Sequence, residues 1–348
     1  MWPIACGWWL LEESEEKEMR YLLDKSIDPY FNLAAEEYLL KECDEPVFRL
    51  WRNAPSVIIG RYQNAAAEIN RLWVEEHDIP VVRRLSGGGA VFHDLGNINY
   101  TFIDTRRQGE DTSAMFRRFT APIISALRAM GVDAVLEGRN DLLIGGRKFS
   151  GNAIAVHGDR VLQHGTLLFN SSIGDLSAAL KNRPEKYAGK AVKSSSARVT
   201  NISEHLPQTM RGMDVEEMME YLMGCIAPNA QVLSCYSEEE MEIINGLMES
   251  RYATTQWNYG KSPAYTYHNS VKLSCGLLDI YLRVENGIII ECTIMGDYFF
   301  LRPTEELSEL FIGQPHTSSS VRSILSTIHT ADYFGSDISE ELVAVFCS

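Results

Sequence analysis

The chain has 348 residues, a formal net charge of −15, 45% hydrophobic and 23% charged residues, 25 glycines and 12 prolines. That length allows two domains, the composition excludes disorder, collagen and coiled coil, and no apolar run approaches the ~18 residues that span a bilayer. The acidic balance disfavours nucleic acid as a partner, and seven scattered cysteines without a C-x-x-C pair suggest neither a disulfide framework nor a zinc site, so a cytoplasmic, monomeric protein is expected.

Residues 1–18 open on an apolar stretch, but Glu12, Glu13, Glu15 and Glu16 follow it where a secretory signal would carry a cleavage site. We expect an extension outside the fold, with Met19 as the natural beginning. Residues 19–23 read as a strand, residues 26–30 as a turn, and Asn32 as the cap of a helix through about Glu42, with Glu36 adding first-turn charge. Strands are expected at 48–51 and 57–59 around the turn Asn53-Ala54-Pro55, a helix at 68–77, and strands at 81–84 and 91–94 flanking Ser86-Gly87-Gly88-Gly89. Residues 97–103 alternate like a strand, and 112–130 form an amphipathic helix that stops at Gly131. Further strands are expected near 142–144, 149–157 and 160–168. Strands and helices mix without a regular βαβ repeat, which favours α+β over a doubly wound sheet.

Residues 181–201 hold Lys181, Arg183, Lys186, Lys190, Lys193 and Arg198 against Glu185. In a chain this acidic, such a local reversal calls for an anionic ligand. Residues 214–250 are acidic, Met-rich and helical in period, and 251–263 read as a connector broken by Gly260 and Pro263. A hairpin of 272–284 with 287–295, then short helices near 305–312, 319–328 and 339–346, make a small second domain. The expected division is 19–255 and 256–348.

Three segments could carry chemistry. Arg83-Arg84-Leu85-Ser86-Gly87-Gly88-Gly89 joins forked donors to a turn whose backbone a ligand can approach closely. A plain hairpin loop can also be glycine-rich, but the two arginines favour an anion site. Asn140-Asp141 and the run 145–153, which includes Lys148 and Ser150, form the second segment. Lys148 between glycines could neutralise a carboxylate and a phosphate together, while an Asp after Asn serves as a turn former as readily as a magnesium ligand. The third is Gln163-His164-Gly165-Thr166, with His164 near a strand end as either a structural or a functional histidine. No cysteine lies between Cys43 and Cys225, so a site in that interval excludes thiol catalysis.

The ordered motifs R-R-L-S-G-G-G-A-V-F-H-D-L-G-N-I-N-Y-T-F, G-R-N-D, G-R-K-F-S-G-N-A, L-Q-H-G-T-L-L-F and R-V-T-N-I resemble those of lipoate-protein ligases. So do the opening R-Y-L-L-D-K-S-I-D-P-Y-F-N-L-A-A-E-E-Y-L-L and V-I-I-G-R-Y-Q-N, and the resemblance covers residues 19–348. It implies an α+β, biotin/lipoate ligase-like catalytic domain related to class II synthetases, plus a small accessory domain. It also implies ATP with Mg2+ and lipoate as substrates, without a bound prosthetic group. Lipoyl-AMP forms first, and then a lysine is acylated on apo lipoyl domains of 2-oxoacid dehydrogenase complexes or the glycine-cleavage H protein.

By the same resemblance Lys148 is catalytic, and Arg84, Gly89, Ala90, Val91 and Phe92 contact ATP or the adenylate. Ser86, Gly87, Gly88, Ser150 and His164 line the lipoyl pocket with Arg84 and Lys148, Asp141 places magnesium, and the basic segment is an adenylate-binding loop. An octanoyltransferase lacks its cysteine here, and a biotin ligase does not match R-R-L-S-G-G-G. A transferase fed with lipoyl-AMP shares the motifs, and a non-catalytic binding module would not need Lys148, Arg84 and Asp141 intact. A pocket that reads its chain mainly by apolar burial is expected to accept octanoate too.

Overall fold

The structure, a computed structural model, describes residues 18–63, 65–180, 199–259, 267–285 and 288–347. The expected leading extension, apart from Glu18, and the basic run 181–198 lie outside the described residues. The strands are β1 (Arg20–Leu23), β2 (Val47–Trp51), β3 (Ser56–Ile59), β4 (Val81–Arg83), β5 (Val91–His93), β6 (Asn97–Thr105) and β7 (Ala134–Glu137). They continue with β8 (Asp141–Ile144), β9 (Arg147–His157), β10 (Arg160–Leu168), β11 (Val232–Leu233), β12 (Tyr267–Leu273), β13 (Gly276–Glu285) and β14 (Ile288–Gly296). An eight-stranded sheet runs β11-β1-β2-β6-β10-β9-β8-β7, beside three-stranded sheets β4-β3-β5 and β12-β13-β14. The α+β class expected from the sequence is what forms, and among the described residues no helix is long and apolar enough to cross a membrane.

Alternation along the strands gives the large sheet two different faces. Phe48, Leu50, Tyr100, Phe102, Phe149 and Ile154 point to one side, where the helices Thr112–Ala129 and Val215–Ile226 cover them. Trp51, Ala155 and Leu162 point to the other, against Leu33 and Ala35 of the helix Pro29–Lys41. This helix is buried almost all round. Asp28, rather than Asn32, caps it, accepting from the backbone N–H of Tyr30 at 2.8 Å and Phe31 at 3.3 Å. Pro29 can take the first helical position because the N–H it lacks would have no intrahelical partner there, so Asn32 falls within the first turns. Its amide spans the helix entry instead, donating to Ser26 O, Arg52 O and Asn53 Oδ1 at 2.8–2.9 Å.

Other expected elements shift. The helix expected at 68–77 is two pieces, Ala65–Glu68 and Arg71–Glu76, because the backbone between them bonds elsewhere, with Asn70 N–H on Ala179 O at 2.8 Å. The helical stretch 214–250 divides into Val215–Ile226 and Glu238–Leu247, and the connector after it begins with a π-turn, Met248–Tyr252, and a helix, Thr255–Tyr259. The expected hairpin is a three-stranded meander, since residues 272–284 turn back between Leu273 and Gly276. The helices Thr304–Phe311, Ser318–Leu325, Ala331–Phe334 and Ser339–Cys347 pack with it around Leu278, Ile280, Phe311 and Phe346.

That last unit reaches back to the glycine-rich turn. Gly88 N–H donates to Tyr298 O at 3.0 Å and Gly296 N–H to Tyr62 O at 2.7 Å. Gly165 marks an equally close approach within the large sheet. A Cβ there would sit 2.3 Å from Asn152 Oδ1 and 2.6 Å from the Tyr100 ring, so Gly165→Ala is expected to lower stability by about 1–3 kcal/mol, read as a lower midpoint in urea.

Candidate functional site

A cavity of about 310 Å³ lies on the sheet face that the helix Pro29–Lys41 covers only partly. Its floor is one cross-strand row. Trp51 on β2 pairs with Asn99 on β6, and Asn99 with Thr166 on β10. The Thr166 hydroxyl accepts from Gly151 N–H at 3.2 Å, and Gly151 on β9 pairs with Asp141 on β8. Strands ~4.8 Å apart make this row about 19 Å long. It runs from an apolar end, with Leu33, Trp51, Ile58 and Val91, to a charged end, with Arg139, Asp141, Lys148 and Asp297.

At the charged end Lys148 Nζ lies 2.7 Å from Asp141 Oδ1, and both side chains are about two-fifths exposed, at 39% and 41%. Lys148 follows a register shift between β8 and β9, which turns it over Gly151. Asp141 begins a strand rather than serving as a turn residue. Thr200 N–H donates to Lys148 O at 2.9 Å, tying the residues after the 181–198 run to the lysine. The Arg139 guanidinium lies 4.5 Å over the Phe299 ring and donates to Cys275 O. Burial lowers its pKa, with Asp297, Cys275 and Asp141 opposing.

The row one pleat away is polar and buried. Arg49 pairs with Thr101, Thr101 with His164, and His164 with Ala153. Glu36, from the helix above, accepts from Thr101 Oγ1 at 2.6 Å and from His164 Nδ1 at 2.9 Å. Thr101 Oγ1 in turn accepts from Trp51 Nε1 at 2.9 Å. Burial pushes the Glu36 pKa up, yet the His164 ring and the hydrogen bonds more than offset it, leaving the carboxyl below its usual value. On the far side, His164 Nε2 is 2.6 Å from Ser86 Oγ, which accepts from Arg84 Nε at 2.9 Å. The donors then run in one direction, Arg84 to Ser86 to His164 to Glu36.

Arg84 and Arg83 part company at the end of β4, where Arg83 is the last strand residue and Arg84 the first beyond it. Arg84 borders the cavity and donates to Ile58 O, Gly87 O and Gly89 O at 2.7–3.2 Å. Arg83, expected to add charge where the ligands meet, is fully buried on the carbonyls of Gly60, Arg61, Gln63, Trp257 and Asn258. It is a structural residue. Of the other sequence candidates, Gly88, Gly89, Ala90, Val91 and His164 border the cavity, whereas Ser86, Gly87, Ser150 and Phe92 do not. Ser86 acts on it through His164. Gly87 is pressed to the C-terminal unit, where a Cβ would come within 2.0 Å of Tyr298 O. Ser150 is buried and accepts from Asn152 Nδ2 at 3.3 Å, and the Phe92 ring packs edge-on to Trp73. His164 lies in mid-strand, not near a strand end.

Trp51, His93, Asn99, Arg139, Asp297 and Phe299 are not marked in the sequence, and Glu36, expected as first-turn charge, lies deeper in a helix whose first turn holds no acidic residue. The motif G-R-N-D holds Arg139, and the pair Glu36-Glu37 in an otherwise apolar helix was a signal. Nothing local marks Asp297 or Phe299.

Residues 28–227 match the family model of the lipoyl protein ligase A/B catalytic domain, and residues 262–346 that of the bacterial lipoate protein ligase C-terminus. A lipoate-protein ligase of Bacillus subtilis is 40% identical over 322 residues, covering 91% of this chain and 96% of that one. The structure is similar to that of a bipartite lipoate protein ligase from Thermoplasma acidophilum described together with its E2 lipoyl domain, with TM-score 0.60, 28% identity and coverage of 72% and 100%. It is also similar to a lipoate-protein ligase A bound with ATP, with TM-score 0.58, 26% identity and coverage of 71% and 99%.

The buried carboxylate yields a pH test. A folded-state pKa below the usual value means that Glu36 stabilises the fold above the ordinary carboxylate range, and that this is lost as pH falls through the depressed value. Glu36→Gln is expected to cost about 1–3 kcal/mol at pH 7. The gap to wild type should narrow in acid, as measured by urea unfolding at pH 7 and pH 4.

Proposed function

The chain belongs to the lipoate-protein ligase family of enzymes, and on that premise we propose that it joins lipoate to protein lysines in two steps. In the first, a lipoate carboxylate oxygen bonds to the α-phosphorus of ATP and the bond to pyrophosphate breaks. In the second, a lysine ε-amine attacks the acyl carbonyl of lipoyl-AMP, an amide forms and AMP leaves. The observation that carries this reading is the cavity's gradient from an apolar end at Trp51 to a charged end at Lys148. An acyl chain would lie along the row with its carboxylate at the lysine.

Both reactants of the first step are anionic, so their approach is opposed by Coulomb repulsion. Lys148 would hold carboxylate and phosphate together and then stabilise the departing AMP, a charge that sits in place before the reaction and costs no reorganisation. Arg84 and the backbone of Gly89, Ala90, Val91 and Phe92 would meet the adenylate. His164 would line the acyl pocket and, with Ser86, hold Arg84 in place; Gly87, Gly88 and Ser150 would shape the walls around it.

Magnesium would arrive on the nucleotide. Asp141, a partly buried carboxylate beside Lys148, is the kind of single protein ligand that such an ion takes alongside phosphate oxygens. Residues 19–255 make the catalytic unit in this reading, and 256–348 an accessory unit that lends Asp297 and Phe299 to the cavity. The acceptors are lipoyl domains of 2-oxoacid dehydrogenase E2 subunits and the glycine-cleavage H protein. The free cysteines, three of them buried, suit a reducing cytoplasm.

The test is incubation with lipoate, MgATP and an apo lipoyl domain, reading pyrophosphate and acceptor mass. Both should appear; acceptor modification from supplied lipoyl-AMP without pyrophosphate would make the protein a transferase instead. Lys148→Ala is expected to fold normally and to lose pyrophosphate release by at least about 100-fold. Wild-type rates in that variant would overturn the assignment.

A further inference from the structure

The apolar end of the cavity carries two hydrogen-bond donors that the protein leaves unused. His93 Nδ1 lies 3.0 Å from Asn53 Nδ2. Asn53 Oδ1 accepts from Asn32 Nδ2 at 2.9 Å, and Arg49 donates to Asn32 Oδ1 at 2.6 Å. These bonds set the amides, so Asn53 presents its NH2 group to the ring and Nδ1 must accept. The proton then sits on Nε2. Burial, with Arg84 and His164 adding to it, holds the ring pKa down to about 3, so the imidazole is neutral and keeps that donor. Nε2 is buried and has no hydrogen-bond partner among the described residues.

Asn99 offers a second donor. Asn97 Nδ2 donates to Asn99 Oδ1 at 2.9 Å, and Asn99 Nδ2, like Asn97 Oδ1, is buried and without a partner among the described residues. Both residues border the cavity beside Trp51. Asn99 is the register partner of Trp51, whose ring meets that of His93 edge-on with centroids 6.1 Å apart.

Two such donors in an apolar wall are costly unless a ligand atom receives them. A chain that enters with its carboxylate at Lys148 presents only its distal end here. A saturated alkyl end has no acceptor, whereas a ring disulfide presents two polarisable sulfurs, weak acceptors of N–H. Resting on the reading that lipoate lies along the cavity in this direction, we propose that His93 and Asn99 donate to the dithiolane sulfurs and are the specificity-determining pair that favours lipoate over a saturated fatty acid.

The test compares lipoate, octanoate and 5-cyclopentylpentanoate, in which methylenes replace both sulfurs of the ring, by kcat/KM for pyrophosphate release and by equilibrium binding without ATP. Wild type should prefer lipoate to the carbon ring by about tenfold, and His93→Phe or Asn99→Leu should bring that preference below twofold. Equal values for the two rings in wild type, which needs no variant to fold, would overturn the proposal, as would a preference that survives both substitutions. Binding of lipoate with no pyrophosphate would instead count against the two-step reading, and the binding ratios would still decide the role of the sulfurs.

Discussion

Glu36 is only 3% exposed, and keeping its carboxylate ionised there is the constraint around which this site is arranged. A buried charge persists only where donors replace the water it has lost. Thr101 and His164 supply them from adjacent strands in one cross-strand row, so β6 and β10 must hold their register. A slip of one residue would send both side chains to the opposite face. His164 then uses its second nitrogen to reach Ser86, and through it Arg84 is fixed beside the cavity. The same carboxylate that anchors a helix to the sheet therefore also positions the glycine-rich turn.

The cavity takes its polarity from the row that forms its floor. Because the row runs across the strands, each strand contributes one residue to a continuous floor, aromatic at β2 and carboxylate at β8. Little backbone motion is needed to distinguish the two ends. The wall is less self-contained, since Asp297 and Phe299 arrive from beyond the meander. A Cβ on Gly87 would come within 2.0 Å of Tyr298 O, and Gly88 has φ +88° with Arg84 and Phe299 beside it, which explains glycine at these positions without appeal to a ligand.

The motifs are plain in the sequence, and their geometry only in part. Lys148, Arg84, Asp141 and Gly88–Val91 border one cavity although they come from three strands and a turn. Arg83 and Arg84 looked equivalent as a pair; the end of β4 separates them, and a ring of carbonyls makes Arg83 structural. Asn32 looked like a helix cap because Asn commonly is one, but Asp28-Pro29 offered the better start. Ser150 and His164 shared a motif-level expectation, and strand phase alone decided that only His164 borders the cavity.

By itself, the sequence determined the mixed α+β class, most of the strands and helices, the absence of cysteine from the central segment, and the ordered motifs that mark the family. All of these are local properties, encoded in residue type and short-range spacing. Tertiary structure alone decided that Glu36 meets His164, that His93 and Asn99 share the apolar end, and that residues near 297–299 join a site more than a hundred positions away in the chain. Such contacts depend on strand order and register, which bring together residues that no spacing in the sequence relates.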